Sequence, residues 1–150
     1  KAAGKLKEAE AHLALHEHEI RLSEQQETLR QRLAKCLYEE GFTTSSPIEL
    51  AQKLGAPLAA LSEVLQVMLL LREVVRLEED IWLHAQRLAE ARKRVIDYLT
   101  AHHEISVSQF KELIGNASRK FAMPLVQYFD ASGVTQRQGD VRVLSVESDA

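Results

Sequence analysis

The sequence repeats itself at a spacing of sixty residues. The run Glu49-Leu50-Ala51-Gln52-Lys53-Leu54-Gly55 matches Gln109-Phe110-Lys111-Glu112-Leu113-Ile114-Gly115, and Asp80-Ile81-Trp82 matches Asp140-Val141-Arg142. Further upstream, Leu29-Arg30-Gln31-Arg32-Leu33 matches Ala91-Arg92-Lys93-Arg94-Val95. A repeat of this length means two copies of one small supersecondary unit. The 150 residues suffice for two small domains, and 45% of them are hydrophobic, enough for two cores.

Each copy reads in the same order. Ser23 with Gln26 three positions on is a capping box for a helix running to about Glu40, with Leu29, Leu33, Cys36 and Leu37 apolar and Gly41 as its stop. Residues 43–46 are a loop or a short strand, and Pro47 opens a second helix to Leu54. After a Gly55-Ala56 turn, Pro57 opens a third helix ending near Arg72, with Leu58, Leu61, Leu65, Met68 and Leu69 on one face. Residues 74–77 and 81–84 then read as strands around Glu78-Glu79-Asp80.

The second copy starts with a helix from about 85 to 102. Its end, 115–144, is a turn, a helix and a tight hairpin. The Ser118 hydroxyl is expected to accept a bond from a first-turn N–H. Phe121, Leu125, Tyr128 and Phe129 form one face, and Gly133 can take the left-handed conformation that ends the helix. Strands at 134–137 and 141–144 flank Gln138-Gly139-Asp140. The expected fold class is mainly α with small β-wings: tandem winged helix-turn-helix domains. Nothing near 84–86 is Gly or Pro, so the linker should be nearly absent and the pair rigid. Residues 1–19 are ambiguous, since composition favours helix while His12-Leu13-Ala14-Leu15-His16 alternates like a strand.

The copies differ in charge. The second opens its third helix with Ser118-Arg119-Lys120, whereas the first has Ala56-Pro57-Leu58. The second wing carries Arg137 and Arg142, whereas the tip of the first is three consecutive acids. Residues 85–150 hold nine Lys+Arg against eight Asp+Glu, or +1, and residues 1–84 hold ten against fourteen, or −4. The whole chain is at −3, so anion binding must come from a local patch. A helix N-terminus offers free N–H groups and partial positive charge, and Arg side chains can pair two phosphate oxygens at once. The second copy is therefore the candidate nucleic-acid reader. The plain alternative is ordinary surface charge, two of the cations being partly paired with Asp130 and Asp140.

Other constellations are less informative. Cys36, the single cysteine, excludes an internal disulfide, fits a reducing compartment and reads as a buried structural thiol. The six histidines complete no four-ligand spacing, so no metal site is expected. Trp82 and Tyr98 read as core residues, and Met68-Leu69-Leu70-Leu71 as a helix–wing interface or a docking surface. No catalytic triad, carboxylate pair or phosphate loop G-x-x-x-x-G-K-[ST] is present, so the chain reads as a binding module rather than an enzyme. There is no run of about 18 apolar residues to span a membrane. A chain opening on Lys1 rather than Met is expected to be a fragment of a longer one.

The spaced set Ser118-Arg119-Lys120-Phe121-Ala122-Met123-Pro124-Leu125, Tyr128-Phe129-Asp130, Gly133-Val134-Thr135 and Gly139-Asp140-Val141-Arg142-Val143-Leu144 resembles the end of the bacterial selenocysteine-specific elongation factor family, SelB. The resemblance implies a third winged helix of that family at 22–84, a fourth, RNA-binding one at 85–150, and the tail of a preceding one, ending in a strand, at 1–21. The family wing is often T-R-R-V-G-D. Here it is Thr135-Gln136-Arg137-Gln138-Gly139-Asp140, one positive charge fewer.

The resemblance implies a C-terminal mRNA-binding fragment that grips the SECIS hairpin and so directs selenocysteyl-tRNA to UGA codons on the ribosome. Carried over residue by residue, it nominates Ser118, Arg119, Lys120, Arg137, Gly139, Asp140 and Arg142 for RNA binding. GTP, Mg and GTPase activity would belong to a missing N-terminal part, with no cofactor in this fragment. A cytoplasmic monomer is expected. The alternatives are a winged-helix regulator reading duplex DNA and a protein-interaction scaffold.

Overall fold

The structure, a computed structural model, describes residues 21–145. The expectations for residues 1–20, the strand at 12–15 among them, lie outside the described residues.

Helix α1 (Glu24–Glu40) begins where the sequence places it. The Gln26 amide donates to Ser23 Oγ at 3.1 Å and the Ser23 amide donates to Gln26 Oε1 at 2.9 Å, the reciprocal capping box. Leu29, Leu33 and Leu37 bury one face. Cys36 is half-buried rather than core, because it lies on the flank of that face. Burial and the nearby Glu40 carboxylate push its thiol up, which disfavours the reactive thiolate.

Helix α2 (Pro47–Leu54) repeats the box with Ser46 and Glu49 and has Pro47 in its first turn, where a missing N–H costs nothing. Helix α3 (Leu58–Leu70) follows the left-handed Gly55, and Pro57 is its cap residue rather than part of it. The core joins Leu33, Leu37, Leu50, Leu61, Leu65 and Met68. Each such side chain removed from water contributes about 1.5–3 kcal/mol. Residues 43–46 form a loop with no strand.

The second unit follows the same plan: α4 (Ala85–His102), β3 (Ile105–Ser106), α5 (Val107–Leu113), α6 (Arg119–Ala131) and a hairpin of β4 (Thr135–Gln138) and β5 (Val141–Leu144). Here the short strand exists: β3 pairs antiparallel with β5 and makes a three-stranded sheet in the order β3-β5-β4. Its core is Val95, Leu99, Ile105, Phe110, Leu125 and Phe129, with Phe110 and Phe129 edge to face. Tyr98 is half-buried at the margin, stacked on His102.

The first wing is β1 (Val74–Glu78) and β2 (Ile81–His84), antiparallel, with a register shift between Arg76 and Glu78. Trp82 is buried in the first core, as its sequence position suggests. Its indole N–H donates to the Glu79 carbonyl at 3.3 Å, and Arg76, its cross-strand partner, stacks on its ring. Ile81, Trp82 and Leu83 are all 3% exposed or less. Three consecutive buried residues mean that both faces of β2 are covered, because alternate side chains point to opposite faces.

The second face is covered by the second unit. α4 begins at Ala85, directly after β2, so the linker has zero length. Both strands of the first wing touch α4, and β1 also touches α6. Leu77 and Phe42 of the first unit pack against the second core. Arg87 donates through Nε to the Tyr38 carbonyl at 2.8 Å and lies 4.1 Å from the Tyr38 ring centroid. Arg94 stacks on Phe42 and donates to the Leu113 carbonyl at 3.1 Å.

His84 sits at this joint as the cap residue of α4, its Nδ1 accepting from the Gln86 amide at 3.0 Å. That bond needs a free lone pair, hence a neutral imidazole. Burial, and next the Arg87 guanidinium, hold its pKa below the ordinary histidine value against the opposing pull of Glu73. A depressed folded pKa means the unfolded chain binds the proton more readily, so this contribution is present above the unfolded pKa and lost as pH falls. Urea denaturation between pH 7.5 and about 5 should therefore show a loss of about 1 kcal/mol from this cap. His84→Asn, which caps at any pH, should remove that part of the slope.

Candidate nucleic-acid interface

The start of α6 and the second wing carry the seven nominated residues, and the structure sorts them into two kinds. Ser118 is the cap residue with extended backbone (φ −69°, ψ 164°), and its carbonyl accepts from the Phe121 and Ala122 amides. Its hydroxyl makes no capping bond, contrary to the sequence expectation. Residue 121 is Phe, so no Glu or Gln side chain is available to complete a box. An exposed hydroxyl is thereby left at the mouth of the helix, together with unsatisfied amides of its first turn.

Arg119 and Lys120 are exposed and form no ion pair among the described residues. The Lys120 ammonium lies 5.3 Å from the Phe121 ring centroid. Its charge also reaches the first unit. Glu49 is held below the usual carboxylate range first by the Ser46 backbone bond, with the Lys120 ammonium as a smaller contribution. Pro124 sits inside α6 and has no N–H, so the Lys120 carbonyl receives no bond from the residue four places on.

Arg137 is exposed on β4, and its Nε donates to the Gly139 carbonyl at 3.0 Å, which steadies the guanidinium at the hairpin tip. The two-residue tip is Gly139-Asp140, with Gly139 at φ +63° and Asp140 outside the positive-φ set. A positive φ at the first tip residue alone is the requirement of a II′ turn. A Cβ at Gly139 would meet nothing within 4 Å, so the residue is required by conformation and not by crowding. Asp140 is exposed and pairs with no cation among the described residues, so Arg137 is not neutralised there.

Arg142 is different and corrects the sequence reading. It is 7% exposed, and its Nε and Nη2 donate to Asp130 Oδ2 at 3.2 and 3.0 Å. The Thr135 hydroxyl donates to Asp130 Oδ1 at 2.6 Å. On this strand Arg142 faces inward, while Val141 and Val143 are half-buried. Arg142 is therefore a brace between wing and helix rather than a phosphate contact. Arg137 and Arg142 are cross-strand partners, and Asp130 removes the repulsion that two facing cations would otherwise exert. Three exposed cations remain, on the helix start and the wing of one unit.

The first unit provides the internal comparison. Helices α3 and α6 and strands β1 and β4 superpose at a displacement of 61, not 60, because the turn before α6 holds one more residue. Pro57-Leu58-Ala59 thus stands where Ser118-Arg119-Lys120 stands in the second unit. Arg76, which corresponds to Arg137, is stacked on Trp82 beside the acids Glu78, Glu79 and Asp80. No group of three His, Cys, Asp or Glu is placed to hold a metal ion among the described residues. None of the described helices is by itself long and apolar enough to cross a membrane.

Residues 97–144 match the family model described as elongation factor SelB, winged helix. The matched stretch runs from within α4 to the end of β5. The chain is 22% identical over 130 residues to a selenocysteine-specific elongation factor of Desulfomicrobium baculatum, covering 87% of this chain and 20% of that protein. It thus spans about a fifth of the length of that relative. Among solved structures it is similar to the mRNA-binding domain of the Escherichia coli elongation factor SelB, determined in complex with SECIS RNA. The TM-score is 0.68 at 23% identity, covering 83% of this chain and 99% of that one. It is also similar to a bacterial selenocysteine-specific elongation factor EF-Sec, with a TM-score of 0.63 at 22% identity, covering 83% of this chain and 20% of that one. At these identities the structural likeness establishes the fold, tandem winged helices.

The Arg142 brace can be tested directly. Asp130→Ala leaves a buried guanidinium without its counter-charge, and urea denaturation should show a loss of about 3 kcal/mol. Gly139→Ala forces a Cβ into positive φ at an otherwise open tip and should cost about 1 kcal/mol.

Proposed function

We propose that this chain is the mRNA-binding part of a selenocysteine-specific elongation factor and that its second unit grips a SECIS-type hairpin. The observation that carries the reading is the asymmetry between the two copies. Arg119, Lys120 and Arg137 are exposed and form no ion pair among the described residues, whereas the same positions of the first copy are apolar or stacked. Ser118, Gly139 and Asp140 add hydrogen-bonding groups beside those cations. Such a small wing-and-helix surface suits a splayed base at a loop or bulge, since the A-form major groove is too narrow to be read.

In this reading 22–84 and 85–150 are successive winged-helix domains. The parent protein carries a GTPase that binds GTP, Mg and selenocysteyl-tRNA and works with the ribosome in the cytoplasm. The fragment itself is a monomeric binding module without a cofactor. The similarity to a SECIS-bound mRNA-binding domain supports this partner.

A duplex-DNA reader is disfavoured by the recognition helix itself. Of the four residues that sequence periodicity directs toward a groove, Ala122 and Val126 are buried, Met123 is half-buried, and Gln127 alone is exposed. One glutamine cannot specify a major-groove site.

Titration of the chain against a stem-loop with a bulged base and against plain duplex DNA decides the matter. The stem-loop should bind more tightly. With three cations the affinity should fall with salt at a slope of about 2 to 3. Arg119→Glu should abolish binding, while Arg76→Glu should change it little. Stronger duplex binding would favour the DNA reader, and absence of salt-dependent binding to either would favour a protein scaffold.

A further inference from the structure

We propose that the first wing is an internal clamp, and that its bulged residue Leu77 is the positioning residue that sets the second winged helix against the first. Between Val74 and Ile81 the first wing holds one residue more than the second wing does between Thr135 and Val141. The extra residue is Leu77, left unpaired where the register jumps from Arg76↔Trp82 to Glu78↔Ile81. A bulge of this kind re-aims a side chain and bends its strand. Here the re-aimed side chain packs on the core of the other unit, beside Phe42, and β1 lies against α6.

The burial pattern agrees. In β2 the residues Ile81, Trp82 and Leu83 are all buried, so that strand is covered on both faces, whereas Arg76 and Glu78 of β1 stay exposed. In β5, by contrast, Arg142 alone is buried. A strand covered on both faces cannot also lie along a nucleic acid. The clamp therefore takes β2 out of ligand binding and leaves the tip acids Glu79 and Asp80 at the free end of the wing.

Arg87 on Tyr38 bears on the joint two residues from the start of α4, and Arg94 on Phe42 bears on it nine residues along that helix. Both contacts run through α4, and Leu77 adds one through the wing, so rotation about α4 is resisted from a second element. Interfaces between domains of one chain are otherwise mobile by default.

The test uses the whole chain in weak alignment, with backbone amide residual dipolar couplings measured for both units. In the native chain, one alignment tensor should fit both units. In Leu77→Asp, and in a deletion of Leu77 that regularises the hairpin, the couplings within each unit should still fit its own fold, but the two tensors should diverge. Leu77→Met should restore the common tensor. Should the Asp variant or the deletion fail to fold, Leu77→Ala, which only truncates a half-buried side chain, serves instead and should lower the alignment of one unit relative to the other. A single unchanged tensor in the folded Leu77 variants would overturn the proposal and assign the orientation to Arg87 and Arg94. The measurement uses no ligand, so its outcome is separate from that of the RNA titrations.

Discussion

The Asp130 carboxylate holds the second wing to the recognition helix, and the surface of the second unit follows from that grip. One oxygen takes the two Arg142 bonds and the other takes the Thr135 hydroxyl, so helix α6 and both strands of the wing meet at a single group. The first unit solves the same problem by other means. Trp82 occupies the place of Arg142, closes over its core with an indole, and satisfies its one N–H on the Glu79 carbonyl. The fold asks for a large flat group with its polar edge bonded, and either chemistry serves. A guanidinium there requires a counter-charge, because a buried ion left alone is far costlier than a buried ring.

Much of the architecture was legible because its signals are local. The capping boxes at Ser23, Ser46 and Ser106, the prolines at 47 and 57 and the left-handed glycines each fix an element end within a few residues. Periodicity then identified Leu29, Leu33, Leu37, Leu61, Leu65 and Met68 as core. What stayed hidden depends on partners distant in sequence. Pairing of a cation with Asp130 was readable as the plain alternative, but not which arginine it takes or that the pair is buried between wing and helix. The repeat did hold the clue, since it pairs Arg142 with a tryptophan already assigned to the core. Cys36 and the Ser118 hydroxyl erred for a related reason: position in an element does not determine whether a side chain is covered or bonded.

The joint belongs to both classes. A zero-length linker could be inferred from the absence of Gly and Pro, and α4 does start directly after β2. The covering of the first wing could not be inferred, although the unbroken apolar run Ile81-Trp82-Leu83 carries the signal. A hairpin exposed on one side would alternate, as the second wing does more nearly. A single copy read alone offers no reason to treat that run as unusual, and the second copy supplies the standard.

The same joint shapes the electrostatics. It places an acidic unit against the unit that carries the free cations, close enough for Lys120 to act on Glu49. Seen from afar the charges nearly cancel and the chain is slightly negative. At physiological ionic strength the screening length is about 8 Å, so Arg119, Lys120 and Arg137 act on phosphates that come close to α6 and its wing, and little beyond. A uniformly basic protein gathers any polyanion through long-range attraction. Here only an RNA whose shape brings phosphates to the helix start and the wing tip together gains from all three cations. Selectivity therefore resides in the fixed spacing of those two features, which Asp130 maintains from within.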